Sequence, residues 1–230
     1  MKTLLVDLYD TLVWTDWRAL GQRLTSRLQV DGAALLRAFE ITHEPRGVGL
    51  FRGIRGDLAA IVAAARGSYD PTRADQPVPS GTDDPFIAAL ELELLEYLRE
   101  AAHLYDDVRP VLRALRAART RVAIVSNCDH VTRPILANLD LEREVDATVL
   151  SCEVKSLKPD AAIFEHALKS LGATAAEAVF VDDQARYLDG ARALGIETVQ
   201  IARNPSYGEP SEGGRHRLIT GLGDLRALLS

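Results

Sequence analysis

Thr3-Leu4-Leu5-Val6-Asp7-Leu8-Tyr9-Asp10-Thr11-Leu12 begins as a short apolar run with strand character and stops at an acid, Asp7. A run of this kind reads as a buried strand. The same pattern returns down the chain. Arg121–Val125 stops at Ser126, Ala147–Leu150 stops at Ser151, and Ala178–Val181 stops at Asp182 and Asp183. Thr198–Ile201 is the last clear strand. Helical patterns alternate with these runs: Val108–Ala118, Thr132–Leu139, Asp160–Leu171 behind Pro159, and Gln184–Leu194, closed by Gly195 as a C-cap. Strands alternating with helices of this length predict an α/β fold, a parallel sheet covered on both faces.

Between Trp14 and about His103 the pattern is helical only. Asp16–Gln29, Gly32–Thr42 and Asp57–Arg66 carry apolar residues at spacings near three and four. Gly67–Thr82 is rich in loop formers, and Asp83-Asp84-Pro85 starts a further helix. Residues 14–103 therefore read as a helical insertion after the first strand, and residues 1–13 with 104–230 as the sheet-bearing core. Asn204–Gly214 reads as a surface loop and Asp224–Leu229 as a short closing helix.

The chain has 230 residues, 47% of them apolar, and a formal net charge of -6. That length buries a core without disulfides or metal staples. The acidic balance and the lack of a basic block argue against nucleic-acid and anionic-membrane partners. No segment approaches the roughly 18 apolar residues of a membrane span. Cys128 and Cys152 form no metal-binding spacing and read as free thiols in a reducing compartment. The expectation is a soluble, cytoplasmic protein acting on a small molecule.

The polar residues at the strand ends carry the chemistry. A lone Asp after a strand usually caps a turn or helix, and Lys158 alone would be a surface lysine. In an open α/β sheet, however, ligands bind outside the carboxyl ends of the strands, and parallel strands bring those ends together. Asp7, Ser126, Lys158, Asp182 and Asp183 would then share one site. Three carboxylates repel one another in a desolvated pocket and call for cations. Lys158 supplies one, and Mg2+, which favours carboxylate, water and phosphate oxygens, supplies more. A carboxylate held this way stays ionised and can act as a nucleophile.

These motifs resemble the haloacid dehalogenase superfamily of hydrolases, in the subgroup with a helical cap after the first motif. The resemblance rests on Asp7-Leu8-Tyr9-Asp10-Thr11-Leu12, on Val122–Asn127, on Ser151–Asp160 with Ile163-Phe164, and on Val179–Asp183 with Gly190-Ala191 and Leu194-Gly195. It implies a Rossmann-like core with an inserted α-helical cap. It further implies Asp7 as nucleophile and metal ligand, with Lys158 neutralising charge on nucleophile and substrate. Tyr9 would supply a metal-ligating main-chain carbonyl. Thr11, Ser126 and Asn127 would hold the substrate, and Asp182 and Asp183 would bind Mg2+.

Two positions point to different branches. Phosphatases of this family carry an acid two residues after the nucleophile to protonate the leaving oxygen. Here that residue is Tyr9, as in the metal-free 2-haloacid dehalogenases, whose leaving halide takes no proton. Tyr9 is a poor acid, the phenol pKa being about 10. Asp10 is the alternative acid. Arg37 lies at the spacing of a halide-binding arginine. The pair Asp182–Asp183 instead suits a metal-dependent phosphatase. The expectation is therefore a Mg2+-dependent phosphatase of a small phosphorylated metabolite. The alternatives are a metal-free dehalogenase and a weakly catalytic protein that binds a ligand or partner. Trp14, Trp17, His43, Arg46 and Arg52 are candidates for substrate choice by their place in the cap.

Overall fold

The computed structural model describes residues 2–73, 75–203 and 214–225. Six parallel strands form the central sheet: β1 (Thr3–Val6), β4 (Arg121–Ser126), β5 (Ala147–Leu150), β6 (Ala178–Asp182), β7 (Glu197–Ile201) and β8 (Arg217–Ile219), in the order β5-β4-β1-β6-β7-β8. The first strand lies between β4 and β6, with Val6 level with Ile124 on one side and Val181 on the other. Side chains of a strand alternate between faces. Leu4 and Val6 accordingly pack on the face covered by α5 (Val108–Ala117), while Leu5 packs with Phe164 of α8 (Ala161–Leu171) and Leu188 of α9 (Ala185–Ala193). The short helices α6 (Thr132–Asn138) and α7 (Ser151–Val154) follow β4 and β5. Ser151 thus begins a helix immediately beyond its strand.

Four helices lie between the first strand and the rest of the sheet: α1 (Trp17–Leu28), α2 (Gly32–Gly47), α3 (Gly53–Ala65) and α4 (Pro85–Ala101). Asp16, Asp31 and Asp84 cap three of them by accepting bonds from Ala19, Ala34 and Phe86 backbone N–H groups. Two boundaries differ from the sequence reading. The second helix runs on through Pro45 to Gly47, and the third starts at Gly53, four residues before Asp57. Apolar spacing marks where a helix is buried, not where its hydrogen bonds begin.

Three short strands carried no sequence signal. β2 (Val13–Thr15) and β3 (Ala102–Leu104) pair antiparallel, Val13 with Leu104 and Thr15 with Ala102, where the chain enters and leaves the helical segment. The sheet also continues past β7 to β8. Each has three residues, too few to show alternation. The surface loop expected over residues 204–214 lies outside the described residues except at Gly214. Of the closing helix expected over 224–229, only Asp224 and Leu225 are described, in a 3-10 turn over Leu222–Leu225.

Candidate active site

The sheet's connectivity places Asp7 one step beyond Val6, where its backbone N–H donates to the Val181 carbonyl at 2.9 Å. The nucleophile candidate therefore sits just past the end of the central strand, held by the neighbouring β6. Its side chain is buried, and so are those of Lys158, Asp182 and Asp183. Lys158 Nζ donates to Asp7 Oδ1 at 2.5 Å and to Asp182 Oδ2 at 2.6 Å. Asp182 is further held by the Gln184 backbone N–H, which donates to its Oδ1 at 2.8 Å. Asn127 fixes the lysine's backbone from both sides: its amide donates to the Lys158 carbonyl at 2.9 Å and accepts from the Lys158 N–H at 2.6 Å. Gly190 lets α9 close on this loop, since a Cβ there would lie 2.5 Å from the Pro159 carbonyl oxygen.

One carboxylate oxygen from each of Asp7, Asp182 and Asp183 lies within 4.8 Å of the others. Three acids thus face one ammonium. Burial, joined by the charge of Asp182, raises Asp7 to about 7, against the pull of Lys158. Burial and the charges of Asp7, Asp182 and Asp10 push Asp183 up to about 8. Lys158 is itself held above the usual amine range by its two carboxylates, which outweigh its desolvation. Burial is the first cause of both acid shifts, and a cation bound between these carboxylates would relieve them. Asp7 and Asp183, two hard oxygen donors close together, fit Mg2+.

The hydroxyl candidates are buried too. Thr11 Oγ1 and Ser126 Oγ have no hydrogen-bond partner among the described residues. Unpaired buried hydroxyls are costly unless something else uses them, and an oxyanion would. The Thr11 turn is pinned from outside: Arg203 Nε donates to the Thr11 carbonyl at 3.1 Å, while its guanidinium grips Asp107 with two bonds of 2.8 Å.

Tyr9 takes a different direction. Its hydroxyl bonds Thr132 Oγ1 at 2.9 Å, and its ring meets Trp17 edge-on at 5.5 Å. Burial raises its phenol well above the ordinary value, so it holds its proton. Asp10 adopts a left-handed backbone, φ 56°, and its carboxyl is raised by burial. Beside Tyr9 opens a cavity of about 410 Å³ between the helices and the turn after β4. Asn127 and Asp129 share its floor, and Trp17, His43 and Arg46 are on its walls. Arg37 and Arg52 are exposed and do not line it, and Trp14 instead stacks on His103 at 4.8 Å.

The sequence reading missed the seam between helices and sheet. Arg46 pairs with Asp129. Asp57 accepts from the His130 backbone N–H at 3.1 Å and pairs with its Nδ1 at 2.7 Å. Gly49, at φ +65°, lies so close to the Cys152 carbonyl that a Cβ would come within 2.0 Å of its oxygen. Two signals were available. Asp129 and His130 belong to the same polar turn as Ser126, and Asp57 is the one acid in a helix that is apolar from Leu58 onward.

The profile described as haloacid dehalogenase-like hydrolase matches residues 1–195. The chain is 31% identical over 107 residues to a phosphoglycolate phosphatase of Colwellia psychrerythraea, covering 46% of this chain and 47% of that one. It is 32% identical over 127 residues to (S)-2-haloacid dehalogenase 4A of Burkholderia cepacia, 55% of each. These matches span about half the length of the relatives. Two solved structures align over the full chain and 98% of their own. One is a HAD phosphatase from Thermococcus onnurineus, at TM-score 0.65 and 24% identity. The other is L-2-haloacid dehalogenase from Xanthobacter autotrophicus with chloropropionic acid covalently bound, at 0.67 and 19%. These two share the fold. With a profile match over most of its length and the strand-end residues in place, the chain belongs to the haloacid dehalogenase-like hydrolases.

Proposed function

We propose that the protein is a Mg2+-dependent phosphatase acting on a small phosphorylated substrate through Asp7. The observation that carries this is the three-acid cluster of Asp7, Asp182 and Asp183 against the single ammonium of Lys158. Asp7, Asp183 and the Tyr9 main-chain carbonyl would hold Mg2+, with Asp182 beside them, and the ion would offset charge on the phosphoryl oxygens. An Asp7 oxygen attacks phosphorus, the bond to the leaving oxygen breaks with its electron pair going to that oxygen, which takes a proton from water, and a second water then hydrolyses the aspartyl phosphate to free Asp7 and inorganic phosphate. Ser126 and Thr11 hydroxyls donate to phosphoryl oxygens, Asn127 positions Lys158, and Lys158, with the ion when bound, favours the ionised form of Asp7. Residues 14–103 act as a cap that excludes water from residues 1–13 and 104–230. Free thiols at Cys128 and Cys152 suit the cytoplasm.

A second reading, a metal-free 2-haloacid dehalogenase, is favoured by Tyr9. Its hydroxyl is bound to Thr132 and its ring borders an apolar cavity, so no acid stands at that position. Asp7 would then attack carbon, halide would leave with the bonding pair, and water would hydrolyse the ester. The test is turnover of phosphate monoesters and 2-haloacids with Mg2+ and with EDTA. A phosphatase loses activity in EDTA and a dehalogenase keeps it. Tyr9→Asp adds the missing acid. If phosphatase turnover arises only in that variant, the natural chain is not a working phosphatase.

A further inference from the structure

The cavity beside Tyr9 is a cleft between the helices and the turn after β4. Its volume of about 410 Å³ falls in the range of ligand sites. At roughly 30 Å³ for each water-sized group, it takes about a dozen heavy atoms. Its long walls are aliphatic: Leu20, Leu24, Ile61, Leu90, Leu94 and Leu98 face it from three of the helices. Its charged side chains are engaged, Arg46 with Asp129 and Asp57 with His130. The floor is made by Tyr9 and Asn127, two residues from Asp7 and hydrogen-bonded to the Lys158 backbone respectively. The cavity thus adjoins the strand-end site through these two residues, while Asp7, Lys158, Asp182 and Asp183 themselves do not line it.

We propose that the substrate carries an apolar body of about a dozen heavy atoms, an alkyl, prenyl or aryl chain, lodged among these leucines with its reactive head at Asp7. This rests on the hydrolase reading and names the class of molecule it acts on. A sugar or other polyhydroxyl body would lose its water against aliphatic walls and leave its hydroxyls unpaired. A hydrocarbon body gains from every methylene buried, about threefold to fourfold in affinity each.

The test is a series of 4-alkylphenyl phosphates, methyl to octyl, assayed with Mg2+. The leaving phenol stays chemically constant while the tail grows. The value of kcat/KM rises about threefold per methylene until the cavity is full, at least about 100-fold across the series. Leu94→Phe narrows the cavity, so the optimum moves to shorter tails. Binding is read separately with decylphosphonate. Trp17 lines the cavity and is one of two tryptophans, so its emission shifts to the blue on titration and Trp17→Phe removes the shift. If phosphates are inert but 2-bromodecanoate is consumed faster than 2-bromopropanoate, the phosphatase reading falls and the apolar body stands. If phosphates are hydrolysed without regard to tail length, the apolar body falls and the phosphatase stands. An absent emission shift together with no tail dependence in either series overturns the proposal.

Discussion

At the strand ends, Lys158 touches two carboxylates within 2.6 Å and its side chain meets no solvent. A few residues away, among leucines of the helical segment, about 410 Å³ stays open. The first region is polar, crowded and held by residues from several strands. The second is apolar and roomy, and its walls come from helices next to one another in the chain. On the proposed chemistry the crowded region has to fix reacting atoms to fractions of an ångström, because misplacement by one ångström costs orders of magnitude in rate. The roomy one needs only shape and dryness. Chemistry is over-determined in this molecule, while the space beside it is left adaptable.

The comparison breaks first if Asp7→Asn still hydrolyses. Removing the nucleophile is expected to cut kcat by at least about 10⁴-fold with the fold retained, read from initial rates beside a thermal melt. Next, Phe180→Ala should cost about 3–5 kcal/mol in urea unfolding, since this fully buried ring packs edge-on against Phe164 at 5.1 Å. Leu24→Ala, whose side chain already faces the cavity, should cost about 2 kcal/mol or less. Equal costs would mean that the cavity is packed after all. Asp183→Asn should raise the Mg2+ concentration for half-activity by at least about tenfold without lowering the melting temperature, because it also relieves repulsion.

The smallest effect is on pH. In divalent-free buffer Asp7 and Asp183 are raised to about 7 and about 8, well above a free carboxylate. Folded protein then holds more protons than the unfolded chain across that interval. Stability is greatest at the acid end and is lost as pH rises through 7 to 8. The metal-free melting temperature should fall between pH 6 and pH 8. Added Mg2+ should restore more of it at pH 8, as differential scanning fluorimetry can check.

Much of this was legible in the residues. Each apolar strand that stops at an acid or hydroxyl declares both its burial and its end, so Asp7, Ser126, Lys158 and the Asp182–Asp183 pair could be brought together from topology alone. The matching helices follow from caps such as Asp84 before Pro85. What stayed hidden depends on contacts between distant segments. Strands of three residues, such as Val13–Thr15, are strands only because of what they pair with. The ties of Arg46 to Asp129 and of Asp57 to His130 join residues more than 70 positions apart, and nothing local marks them as partners. The cavity was invisible for the same reason. Leucines at helical spacing look alike whether they meet one another or leave a gap.

The paired ribbon of Val13–Thr15 with Ala102–Leu104 brings the two ends of the helical segment side by side. A segment with adjoining ends can be lengthened, shortened or exchanged without disturbing the strands on either side, as tolerated domain insertions are. The walls of the cavity are inherited as one continuous block of sequence, whereas Asp7, Ser126, Lys158 and Asp183 are scattered along the remainder. Recombination at the ribbon could therefore hand the same reaction a new repertoire of molecules in a single event.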